Sequence, residues 1–253
     1  MKQCREQAFL LRLVPYKDHD LIAHFLGQTS GLLGAVLYRA RGGKEGFSYQ
    51  PGDKLELDYL SQEGSDLVRV NSFSPLALIR PHDFTYPRFL CHSFLVDLVT
   101  RISVPGQASP GLFGLMERMG TWAWPPQEEL RFVLWALDRI GQETGYPVDP
   151  KVCAQCGKAT VKPGETEWVV RKETYELEEP GLVCALCLGH PGSWSGAEVK
   201  ALALSQSEAF LDQKQPIPVP LMAQLCLKLS RRLLVALELA PKSLGLFERL
   251  LLG

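Results

Sequence analysis

Residues 8–40 read AFLLRLVPYKDHDLIAHFLGQTSGLLGAVLYRA. Three apolar runs, AFLLRLV, DLIAHFLG and LLGAVLYRA, alternate here with the polar clusters PYKDHD and QTSG. Each run is short, partly alternating and rich in β-formers, which predicts strands separated by turns. Gly31 ends the second cluster and tolerates the positive φ of a tight hairpin. Further along, DKLELDYL places Leu55, Leu57 and Tyr59 on one side and Glu56 and Asp58 on the other. DLVRVNSF makes a fifth run, after the turn signals RGGKEGFSYQPG and SQEGS. Five strands within residues 6–79 predict a small barrel, since closure removes exposed edges. The five-stranded OB-fold fits this size, over residues 1–80.

After Pro81 the period changes. In FLCHSFLVDLVTRI, the residues Phe94, Leu95, Leu98 and Ile102 share a helical face. GLFGLMERMGTWAW predicts a second helix, stopped by Pro125 and Pro126. QEELRFVLWALDRIGQETGY predicts a third, with Glu128 and Glu129 in its first turn and a stop near Gly145 and Pro147. Residues 151–192 hold four cysteines, little apolar content and two strand-like runs, TEWVVR and ETYELE. Helical patterns return in LSQSEAFLD, PLMAQLCLKLSRRLLVALELA and SLGLFERLLL. The fold class is therefore α+β. A barrel (1–80) precedes a helical body (81–150 and 193–253), which carries an inserted cysteine segment (151–192).

Composition bounds the function. The chain has 253 residues and 46% hydrophobic content, enough for a sizeable core. A formal charge of −1 gives no global nucleic-acid signature, so any basic surface is local. Arg12 interrupts the first apolar run, so it does not read as a signal peptide. No uncharged run approaches the ~18 residues of a membrane span. The cytosol is the expected compartment, where cysteines are reduced thiols or metal ligands.

Cys153 and Cys156 stand at C-x-x-C spacing, and Cys184 and Cys187 repeat it after a 27-residue spacer. Two such knuckles complete a tetrahedral S₄ set suited to Zn²⁺. A hairpin of TEWVVR with KETYEL would bring them together. A redox pair would call for a βαβ setting, which is not visible, and inert buried thiols are the bland alternative. A Cys₄ shell leaves no open position, so the expected role is structural. His190 is read as a neighbour, and Cys91 and Cys226 as core.

The first 80 residues carry ten Lys/Arg and nine Asp/Glu, so distribution matters more than total. VLYRARGGKEGFSYQPG gathers Arg39, Arg41 and Lys44, with Tyr38, Phe47 and Tyr49 interleaved. Cations attract phosphates and aromatic faces stack on unpaired bases, which makes these six candidate nucleic-acid contacts. An ordinary polar loop explains the same residues. Lys228, Arg231 and Arg232 form a second basic cluster, read as a solvated helix side or a partner contact. Nucleotide-binding, hydrolase and zincin motifs are absent, so no catalytic residue is assigned. His19, His24 and Asp20 offer a weak alternative as a hydrolytic metal site.

Taken in order, these features resemble the bacterial RecO family of recombination mediators. The arginine-leucine strand, the Pro15–Tyr16 turn with Asp18 and Asp20, and Gly31 are similar to the family's opening. Arg39, Arg41 and Lys44 fall in its basic stretch, though GGKEG is thinner there. Gln50–Pro51 and Lys242–Ser243 match two further elements. The resemblance implies a non-enzymatic protein that binds single- and double-stranded DNA and anneals complementary strands. It implies a RecR-like partner, the acidic tail of single-strand-binding protein, and help in loading RecA at the nucleoid. Some family members lack the full cysteine set, which fits a scaffolding zinc. The neutral charge and thinned basic stretch leave a second reading, a protein-interaction scaffold with little DNA affinity of its own.

Overall fold

The computed structural model describes residues 2–41, 47–62, 64–65, 67–80, 84–160, 174–178, 181–207, 209–212 and 217–252. Five strands come first: β1 (Lys2–Tyr16), β2 (Asp20–Gly27), β3 (Gly31–Leu37), β4 (Lys54–Ser61) and β5 (Leu67–Ala77). Then come α1 (Tyr86–Ile102), α2 (Pro110–Thr121) and α3 (Glu129–Glu143). The cysteine segment contributes β6 (Thr174–Glu178), β7 (Gly181–Cys184), α4 (Ala185–Leu188) and β8 (Trp194–Ser195). The chain closes with α5 (Gly196–Ser205), α6 (Val219–Ala236) and α7 (Leu244–Leu252). It divides into two compact units, Met1–Trp124 with Leu239–Leu250, and Pro125–Glu238 with Leu251–Gly253. Among the described residues no helix is long and apolar enough to cross a membrane.

In the first unit the five predicted strands form a closed barrel in the order β1-β2-β3-β5-β4. Antiparallel pairs make most of the wall. The ring closes through a short parallel pairing of β3 with β5, from Gly34↔Leu67 to Val36↔Arg69. β1 starts well before the predicted AFLLRLV run, because its polar head Lys2–Gln7 pairs with β4. Hydrophobic alternation alone does not register such an edge segment. A bulge between Leu10 and Arg12 accompanies the handover of β1 from β4 to β2. Ala8, Leu10, Ala23, Phe25, Leu55 and Leu57 are buried in the barrel core.

Tyr59 joins that core and carries a polar tip. Its hydroxyl donates to Glu6 Oε1 at 2.6 Å. Glu6 also accepts from the Thr29 amide and hydroxyl, both at 2.8 Å, and from the Ser30 hydroxyl at 2.6 Å. Burial pushes the Glu6 pKa up, but these donors outweigh it and hold the carboxyl below its ordinary range. Gly31 has φ +69°, and a Cβ there would lie 2.2 Å from the Gln107 carbonyl oxygen. Conformation and close approach both demand glycine.

Helices complete this unit. Thr85 and Ser109 cap α1 and α2 with side-chain oxygens on the Arg88 and Leu112 amides. Phe94, Leu95 and Leu98 are buried as the spacing predicted, and Phe94 stacks on Phe247 of α7 at 4.1 Å. The second helix stops at Thr121, short of the predicted Trp124. Trp124 adopts φ +47°, and its indole N–H donates to the Met119 carbonyl at 2.9 Å.

In the second unit α3 buries Phe132, Val133, Ala136, Leu137 and Ile140, and Gly145 follows it at φ +83°. The predicted LSQSEAFLD helix is displaced. α5 lies mostly before it and takes only its first two residues, Leu204 and Ser205, and the described residues of 206–212 are turns and a bend. The start of α5 is fixed by a capping box, in which the Ser195 and Glu198 side chains satisfy each other's backbone N–H. Cys226 is buried in α6, as expected for a core thiol.

Candidate functional site

Cys153 and Cys156 lie on a tight loop, Cys184 ends β7 and Cys187 sits in α4. The Cys153 amide donates to the Lys158 carbonyl and the Gly157 amide to the Cys153 carbonyl, both at 2.9 Å. The second knuckle closes likewise, with the Gly189 amide on the Ala185 carbonyl at 2.9 Å. Gly157 and Gly189 have φ +67° and +76°, the left-handed conformation these turns require. A backbone bond from Ala154 to Leu182 (2.8 Å) ties the first knuckle to β7, beside the second. The spacer's KETYEL run does supply strand β6, paired with β7 (Tyr175↔Cys184 to Glu178↔Gly181) and with β8. TEWVVR, its predicted partner, lies outside the described residues.

The four sulfurs lie within 4.8 Å of one another, the one such group of metal-ligating side chains among the described residues. The Cys153–Cys187 and Cys156–Cys184 sulfurs are 3.9 Å apart and the Cys184–Cys187 sulfurs 3.5 Å. A tetrahedron with Zn–S of about 2.3 Å has edges of about 3.8 Å, so the set can hold a metal ion of that size. Burial raises the Cys153 thiol, but amides of Cys156, Cys184 and Gln155 outweigh it and bring it down to about 6. Cys187, beside Cys184 and Cys156, is pushed up to about 12. The Cys187 thiol thus resists ionising until a cation joins the cluster. His190 stays outside the group, its Nδ1 3.0 Å from the Pro191 carbonyl. His19, His24 and Asp20 form no such group, and Asp20 Oδ1 instead accepts the Arg39 amide at 2.9 Å.

The barrel's candidate residues separate into two kinds. Tyr38 (66% exposed), Arg39 and Arg41 are exposed where β3 ends. Arg41 is fastened to the β1–β2 turn, its amide on the His19 carbonyl at 2.9 Å. Phe47 and Tyr49 pack against the barrel core and, with Phe73, form an edge-to-face triad at 5.0–5.4 Å. Their rings serve the wall as much as any ligand. Lys44 lies outside the described residues. Arg69 and Asn71 of β5, exposed beside Tyr38 and Arg39, were missed by sequence reasoning. Only the β3–β5 pairing, which no local pattern announces, brings them there.

In the other basic cluster, Lys228 bonds to Glu198 Oε1 and to the Ser193 carbonyl, each at 2.6 Å, and lies 5.2 Å from the Trp194 ring centroid. Arg232 donates to the Tyr146 carbonyl at 3.3 Å. Arg231 is exposed. Two of the three thus cross-link their own unit.

A pocket of about 430 Å³ in the first unit gathers cations that the sequence did not connect. Leu11, Ile79, Phe89 and Val96 give it apolar walls; Arg12, Arg101 and Lys242 line it too. Gln50 and Pro51, also lining it, are held by Asp53, which accepts the Gln50 amide at 2.9 Å and the Ile79 amide at 2.6 Å. Asp97, also in the lining, accepts from Arg101 and from the Ser243 hydroxyl, both at 3.0 Å.

These features define the class: an α+β protein with a closed five-stranded OB-like barrel, a helical body and a four-cysteine cluster able to hold a metal. No family model matches the chain. It is similar to the DNA repair protein RecO of Alkaliphilus metalliredigens (strain QYMF), 23% identical over 193 residues, which cover 73% of this chain and 72% of that protein. The likeness bears out the resemblance to the RecO family read from the sequence.

Proposed function

We propose that this chain is a non-enzymatic DNA repair and recombination mediator. Its barrel binds single- and double-stranded DNA through Tyr38, Arg39, Arg41 and Lys44, and it anneals complementary strands. The observation that carries the reading is the RecO likeness over most of the chain, joined to a barrel whose β3 end carries exposed cations and an exposed ring. Neutralising two strands on one surface lowers the repulsion between them, and stacking holds bases unpaired until a partner arrives. Nothing in such a task calls for bond-making residues. Cys153, Cys156, Cys184 and Cys187 hold structural Zn²⁺, which stabilises a segment with little core of its own.

Partners follow from the same reading: a RecR-like protein, the acidic tail of single-strand-binding protein, and RecA indirectly. The apolar pocket with Arg12, Arg101 and Lys242 supports a tail of that chemistry. Arg101 is paired with Asp97, so Arg12 and Lys242 are the cations the pocket offers such a tail, whereas Lys228 and Arg232 are engaged in their own unit. A cytosolic, nucleoid-associated setting suits the role. The test is annealing of complementary oligonucleotides, bare and coated with single-strand-binding protein. Acceleration of both supports the reading; acceleration of neither, with purified protein at saturating concentration, overturns it. The near-balance of ten basic and nine acidic residues in the first 80 favours one alternative, a scaffold that joins the repair complex but barely touches DNA. Co-purification with the partners and no oligonucleotide binding would select it.

A further inference from the structure

One left-handed residue and one strand bulge in the barrel direct side chains to one place. Arg39 takes φ +55°, uncommon for a residue other than glycine, and Asp20 holds its amide there. Asn71 is the extra residue of a bulge in β5: Ser72 pairs with Asp58 and Val70 with Tyr59, and Asn71 has no partner in β4. Bulges re-aim side chains, and strained residues gather at ligand sites. Here both residues line one concavity of about 360 Å³, with Tyr38 and Arg69. Arg69 reaches it because the parallel pairing sets it beside Val36, two residues before Tyr38. Tyr38, Arg39, Arg69 and Asn71 are all exposed, and among the described residues no carboxylate lines the concavity. Leu37, Phe47 and Phe73 supply apolar lining.

We propose that this concavity is a single-nucleotide subsite for an unpaired DNA strand. Its phosphate sits between the guanidinium groups of Arg39 and Arg69, and its base lies on the Tyr38 ring. The Asn71 amide, both donor and acceptor, meets the edge of that base. Two separated cations suit a phosphate diester, and Asp20, the acid beside Arg39, accepts that residue's backbone amide. An exposed ring beside them suits a base, and a bulged amide suits a base edge. The inference rests on the DNA-binding reading above and adds to it Arg69, Asn71 and a division of labour.

The experiment is fluorescence anisotropy with short labelled dT, dC and dA oligonucleotides over a salt series, using the full chain. Arg69→Ala should weaken all three and lower the salt slope by about 0.7, the value for one lost single-strand phosphate contact. Arg69→Lys should restore much of that slope. Tyr38→Ala should weaken binding by roughly 5-fold or more, the low end for one base–aromatic stack. Asn71→Ala should leave the slope unchanged while altering the ranking of the three oligonucleotides. Circular dichroism melts identify any variant that fails to fold, and Arg69→Gln and Asn71→Ser then stand in for it. Wild-type affinity, slope and ranking in a folded Arg69 variant without the charge and in a folded Asn71 variant would overturn the subsite and leave DNA binding standing. Absence of binding by the wild-type chain would overturn both.

Discussion

At the scale of single residues, buried polar groups set how the first unit responds to acid. His92 is buried in α1, and burial, then the neighbouring Arg88, bring its pKa down from 6.5 to about 4. The unfolded chain therefore takes up this proton near pH 6.5, and the folded chain only near pH 4. Stability contributed by neutral His92 is full above that window and falls as pH drops through it. The loss comes to about 3 kcal/mol, at 1.36 kcal/mol per pKa unit. Glu6, whose folded pKa is depressed, adds a loss at lower pH, as its carboxylate is protonated. Urea unfolding at a series of pH values checks this. His92→Gln should flatten the stability profile between pH 6.5 and 4 and leave the Glu6-dependent fall in place. An unchanged slope would show that His92 is not the group titrating there.

At the scale of elements, what the sequence disclosed depended on how local the determinant was. LELDYL and its neighbours announced the barrel strands by alternation, and the doubled C-x-x-C announced the cysteine cluster by spacing. The polar head of β1 stayed hidden because backbone pairing with β4, not hydrophobic pattern, makes it a strand. The start of α5 is legible only in its Ser195–Glu198 capping-box signature, while apolar spacing points to the nearby LSQSEAFLD instead. Arg69 and Asn71 were illegible for a topological reason, since β3 and β5 meet by a non-local parallel pairing. Lys228 looked like a solvated cation because its partner Glu198 lies 30 residues away in sequence, on another helix. That pair supplies a prediction. Glu198 is 4% exposed against 31% for Lys228, so removing the lysine takes away the cation of a buried carboxylate and leaves it, among the described residues, only the Ser195 donors on Oε2. Lys228→Ala should cost about 2 kcal/mol, below the 3–5 kcal/mol of a fully buried pair. A double-mutant cycle with Glu198→Gln in urea unfolding measures the coupling; a value near zero would assign the pair to the weak surface class.

At the scale of the whole molecule, the account separates support from contact. On the proposed reading the four clustered cysteines stabilise and the barrel rim binds. Cys184→Ala should abolish stoichiometric zinc in metal analysis and increase amide hydrogen exchange in the cysteine segment and β7. One zinc per chain in that variant would contradict four-cysteine ligation. The same variant should keep its barrel, whose closure involves β1–β5 alone. The central claim, that a cationic, aromatic-bearing rim grips a polyanion, is tested most directly by the salt dependence of oligonucleotide binding. Wild-type chain is compared with the Arg39→Ala, Arg41→Ala, Lys44→Ala triple variant on the same single strand. The account predicts weaker binding and a slope reduced by up to about two units, at roughly 0.7 per lost contact. Equal affinity and equal slope for the two proteins would contradict it.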